Sequence, residues 1–103
     1  MATGVQGNAA LSAAVWTAVY TVPAATIWTG KVNFCNRGTT LAKVRLAYST
    51  GVSPSSGEYM EYDYPLAASG VLERTGEILG AGWKVFAYSD TANVDVIVSG
   101  YEA

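Results

Sequence analysis

Polar and apolar residues alternate with period two along much of this chain, most cleanly over residues 41–49. There Val44, Leu46 and Tyr48 point one way while Lys43 and Arg45 point the other, as a half-buried strand requires. The same alternation predicts strands elsewhere. Residues 17–22 are β-branched and aromatic and end at Pro23. Residues 27–36 put Trp28, Val32 and Phe34 on one face and Thr29, Lys31, Asn33 and Cys35 on the other. Gly30 falls in the apolar register, which signals a bulge or a close backbone approach. Residues 58–64 set Met60, Tyr62 and Tyr64 against Tyr59, Glu61 and Asp63. Residues 71–79, 83–89 and 94–101 complete the set, with Val94, Val96 and Val98 facing inward and Asp95, Ile97 and Ser99 outward.

Asn36-Arg37-Gly38, Gly80-Ala81-Gly82 and Ser89-Asp90-Thr91-Ala92-Asn93 supply turn chemistry between these runs. Residues 50–57 are a Ser/Gly/Pro-rich loop whose composition favours mobility. The expected fold is all-β: an antiparallel sandwich, or a small barrel, of about seven strands over residues 17–103. Residues 1–16 hold no period and carry glycines at 4 and 7. They are expected to form an extended arm that orders against a partner.

Charge changes the picture. Only 14% of the 103 residues are charged, against roughly 25% in a typical soluble domain. A surface of Ala, Ser, Thr, Gly, Asn and Tyr suits a molecule covered by neighbours better than one that floats alone. The net charge is −2 and the six basic residues are scattered, so no footprint for nucleic acid exists. The first charge is Lys31, which argues against a secretory leader. No apolar run approaches the roughly 20 residues of a membrane span. The expected partners therefore include neither nucleic acid nor membrane.

Chemistry is sparse. There is no His and one Cys, Cys35, so an internal disulfide is excluded; a packing role or an intermolecular bridge remains. No nucleophile elbow or phosphate loop is present. Carboxylates at Glu58, Glu61, Glu73 and Glu77 have no cleft to serve in so short a chain. Glu61 and Asp63 share a strand face in this reading, but they lack the loop spacing of a calcium site. No enzyme, cofactor or metal is expected.

The aromatics stand out instead, with three Trp, seven Tyr and two Phe. Ordinary sheet packing accounts for part of this set, and an interface accounts for the rest. A sugar platform is a further option. The candidate interface residues are Val5, Leu11, Val15 and Trp16 on the arm, with Tyr59, Tyr62, Tyr64 and Arg74 on the strands. Glu73 and Arg74 are strand neighbours and cannot pair with each other. Arg74 is expected to face inward or into an interface and to bridge subunits through its guanidinium fork.

The runs Val32-Asn33-Phe34-Cys35-Asn36-Arg37-Gly38 and Ala42-Lys43-Val44-Arg45-Leu46-Ala47, preceded by Val22-Pro23-Ala24, resemble small virion structural proteins of tailed phages. So do Tyr62-Asp63-Tyr64-Pro65-Leu66 and Gly70-Val71-Leu72-Glu73-Arg74-Thr75-Gly76, with Leu79, Gly82, Val85 and Tyr88 beyond. The resemblance spans residues 19–101 and leaves the arm outside. It implies a β-sandwich that self-assembles, without a cofactor or an active site. The implied role is a capsid decoration (cement) subunit, with a tail or fibre adaptor as the alternative. The implied partners are further copies of the chain, favoured as a homotrimer, and the major capsid protein of the same virion. The implied location is the virion, on the capsid surface rather than the tail.

Overall fold

A computed structural model describes residues 3–103. Among these residues the chain forms eight strands and no helix. They are β1 (Thr3–Ala10), β2 (Thr17–Thr21), β3 (Trp28–Asn36), β4 (Ala42–Ser49), β5 (Tyr59–Leu66), β6 (Val71–Leu79), β7 (Lys84–Ser89) and β8 (Val94–Glu102). Two four-stranded antiparallel sheets result, ordered β1-β8-β3-β6 and β2-β7-β4-β5. The chain crosses between sheets at every connection except β4 to β5. This order makes the sandwich a jelly roll.

The core follows from the alternation. Val32 stands between Val98 and Arg74, and Phe34 between Val96 and Leu72, on the inward rows of the first sheet. Leu46 lies opposite Ala87, and Tyr48 opposite Val85, in the second. Trp28, Phe34 and Leu46 are fully buried between the sheets, each contributing about 1.5–3 kcal/mol by leaving water. Asn36 is buried too. Its amide donates to the Thr40 and Leu66 carbonyls at 2.9 and 3.0 Å, and its Oδ1 accepts from Gly38 N at 3.0 Å. One side chain thus closes the β3–β4 turn and docks the end of β5.

The extended arm is corrected. Thr3–Ala10 is β1, an edge strand paired antiparallel with β8 from Thr3↔Tyr101 to Ala10↔Asp95; residues 1 and 2 lie outside the described residues. Alternation fails to reveal it because its backbone bonds to β8, not an apolar face, hold it. Gln6 serves as a polar plug: it accepts from Trp28 Nε1 at 3.3 Å and donates to the Gly100 carbonyl at 3.1 Å. Leu11 then turns into the core at 4% exposure.

Gly30 shows both predicted features. It sits opposite Gly100, where a Cβ would run into the Ser99 carbonyl oxygen, and the β3–β6 register shifts between Gly30 and Val32. That shift, at Gly76 with φ +70°, turns both Arg74 and Glu77 toward the inter-sheet space. β5 carries two more shifts, one around Asp63 with φ +53° and one between Leu46 and Ala47 of its partner strand. They re-sort its faces. Glu61 stands opposite inward-facing Leu46, Tyr64 opposite inward-facing Val44, and Tyr59 opposite outward-facing Ala47. The strict alternation expected for residues 58–64 therefore does not hold.

Candidate functional site

The outward face of the second sheet gathers aromatic rings around one guanidinium. β4 carries Arg45 outward, directly opposite Tyr88 on β7. The β5 bulge brings Tyr62 and Asp63 to the same place. The Arg45 guanidinium carbon lies 4.2 Å from the Tyr62 ring centre and 4.4 Å from that of Tyr88. Its Nε donates to Asp63 Oδ1 at 2.6 Å. Trp16, just ahead of β2, packs on Tyr88 with ring centres 5.3 Å apart and on Tyr59 at 5.9 Å. Tyr59 meets Tyr62 edge-on at 5.0 Å. On the same face Phe86 stands opposite both Ala47 and Ala18, and it is buried although it lies outside the inter-sheet core.

The electrostatics of the patch are closed within it. The hydrogen bond to Asp63 raises the Arg45 pKa, and the same bond holds the Asp63 carboxyl below the usual carboxylate range. A cation between two rings with a carboxylate at its edge presents no net charge. Solvent meets the Tyr62 ring, 56% exposed, and beside it the partly exposed Asp63 carboxylate. Tyr and Trp so placed supply contact area at low side-chain entropy cost, as anchors do in protein interfaces.

Three of the sequence-predicted residues, Trp16, Tyr59 and Tyr62, meet in this cluster. Two necessary members, Arg45 and Tyr88, were absent from the prediction. They lie 43 residues apart in sequence and become partners only through the β4–β7 register. Tyr64 is separate, on the inward row at the β5 edge. Val5 and Val15 are exposed, Val5 on β1 of the other sheet and Val15 just before Trp16. Leu11 belongs to the core and cannot serve as an interface residue.

Arg74 faces inward and meets two carboxylates of its own chain. Its Nη1 contacts Glu61 Oε2 at 2.7 Å and its Nε contacts Glu77 Oε1 at 3.4 Å. Tyr48 donates to the same Glu77 oxygen at 2.6 Å. Hydrogen bonding to Glu61 raises the Arg74 pKa, and burial together with the Glu77 bond pushes the Tyr48 hydroxyl well above its ordinary value. Glu73 faces outward and pairs with Lys31 at 3.1 Å. Glu61 and Asp63 thus go to different arginines on different sides of the sheet.

Comparison with protein-family models, with curated proteins and with solved structures returned no match.

Proposed function

We propose that this chain is a non-enzymatic structural protein of a phage virion, a capsid decoration subunit that docks through the aromatic patch of its second sheet. The observation that carries this reading is the Arg45 cage, whose charge is paired internally with Asp63 and which sets Trp16, Tyr59 and Tyr62 around it. Such a face loses little on desolvation and gains about 25 cal/mol per Å² of apolar area covered. Four of the six basic side chains are paired within the chain, and the other two, Lys43 and Lys84, flank the patch on the outward rows of β4 and β7. Jelly rolls occur in viral capsid domains, a fold-level analogy that supports the reading without carrying it. Binding as a homo-oligomer, favoured as a trimer, multiplies modest contacts into retention on a repetitive shell.

The test is retention on purified particles of the parent virion. Tyr62→Asp should lower occupancy at least tenfold while the circular dichroism spectrum stays that of the folded chain; unchanged occupancy refutes docking by this patch. A tail or fibre adaptor would use the same patch elsewhere on the particle, and the site of occupancy separates the two. A sugar-binding module is the remaining reading, favoured by the open Tyr62 ring beside the polar Arg45–Asp63 pair. A glycan array without hits removes it.

A further inference from the structure

Chain length argues against a cleft, yet one of about 350 Å³ opens where β5 and β6 part, within the size range of small-ligand sites. Met60 of β5, Ile78 of β6 and Trp83 ahead of β7 form its apolar walls, with Tyr48 beside them. Glu58 is the one charged side chain in its lining. Trp83 differs from the other two tryptophans. Trp16 packs on Tyr59 and Tyr88, and Trp28 packs on Tyr20 and donates to Gln6. Trp83 is partly exposed and has no ring contact or indole hydrogen bond among the described residues.

The charges around the cleft favour a cation. Glu58 belongs to no ion pair among the described residues. Ser55 fixes its carboxylate through the backbone N at 2.8 Å and through Oγ at 3.1 Å. The backbone bond from Ser55, followed by one from Ser49, keeps the carboxyl below its usual range, so it stays charged. Lys84, next in sequence to Trp83, donates to the Gly51 carbonyl at 3.0 Å instead of pairing with Glu58. On the inner side, Tyr48 donates to Glu77, and Glu77 shares Arg74 with Glu61. Two carboxylates on one guanidinium leave a negative charge in excess there. Among the described residues no group of three or more carboxylate or Cys side chains is placed to hold a metal ion. An aromatic face attracts instead a cation that carries apolar surface of its own.

We infer that the β5–β6 cleft binds a small organic cation, an alkylated ammonium group with its apolar skirt on Trp83, Ile78 and Met60 and its charge toward Glu58. Ring and carboxylate attract the charge, and the apolar walls cover the alkyl groups. A neutral sugar fits less well, because its hydroxyls need several free polar partners and the Tyr48 hydroxyl is already committed to Glu77. The inference stands apart from the capsid reading. The cleft shares only Tyr59 with the aromatic patch around Arg45, and the test leaves Tyr59 intact.

The test titrates the full chain, nitrogen-labelled, with choline and follows it by NMR. Choline should shift the Trp83 indole signal to saturation, and its uncharged carbon isostere neohexanol should bind about tenfold more weakly. Glu58→Gln should weaken choline binding about threefold. Trp83→Leu, read at the Ile78 amide, should remove it. The Trp16 and Trp28 indole signals report that each variant is folded. Failure of choline to saturate overturns the inference, as does equal binding of choline and neohexanol, or undiminished binding by Glu58→Gln. A shift caused by cellobiose and not by choline gives the cleft to sugars and overturns it as well.

Discussion

Along one side of the sandwich, β1 and β2 close almost backbone to backbone. Gly7 lies so near Val19 that a Cβ would run into its carbonyl oxygen. Tyr20 donates to Glu102 and packs on Trp28 with ring centres 5.8 Å apart. Along the other side, β5 and β6 stay apart, and side chains span the gap: Arg74 to Glu61 at 2.7 Å, and Tyr48 to Glu77 at 2.6 Å. The closed side depends on the absence of a side chain, and the open side on the presence of several. The first cannot accept added volume. The second can vary its chemistry, and it is there that the chain leaves a cleft and exposed apolar side chains.

Substitutions should separate the two sides. Gly7→Ala should cost about 2–3 kcal/mol, because the new methyl meets backbone that cannot yield; a urea midpoint close to that of the parent would break the contrast. Arg74→Met should cost less, about 1–2 kcal/mol, since it strands Glu61 and Glu77 at a partly wetted edge. Tyr48→Phe, which removes one donor to Glu77, should cost about 1 kcal/mol. At the exposed patch Tyr62→Ala should stay within about 0.5 kcal/mol of the parent, so a large loss there would mean that the patch is structural.

Titration sharpens the same contrast. Burial, followed by carboxylate bonds to Glu102 and Glu77, raises the pKa of Tyr20 and Tyr48, one on each side. A raised folded-state pKa stabilises the fold fully below the ordinary tyrosine value of about 10, and that stability is lost as pH climbs beyond it. Both phenols should ionise only as the fold opens, which ultraviolet absorbance follows. Asp63 and Glu58 have the opposite sign. Their folded-state pKa values are depressed, so their contribution is present above about pH 4 and fades as acid carries the pH lower. Tryptophan emission from the patch should change in that acid window.

Much of the sandwich was legible because period two survives wherever a strand has one dry and one wet face. Val44, Leu46 and Tyr48 on β4 and Val94, Val96 and Val98 on β8 are such cases. β1 was not legible: an edge strand held by backbone bonds needs no apolar alternation, and its Gly, Asn and Gln look like a tail. β5 misled because Asp63 adopts positive φ, and one extra residue moves every side chain beyond it to the other face. Aromatic abundance pointed to Trp16, Tyr59 and Tyr62. Nothing local in the sequence joined them to Arg45 and Tyr88, whose meeting depends on strand order.

Cryo-electron microscopy of the parent particle tests the central claim most directly. The account predicts the chain on the capsid shell with the outward face of β4, β5 and β7 against the capsid protein and the Tyr62 ring covered. A particle whose density holds this chain with that face bare to solvent would contradict it.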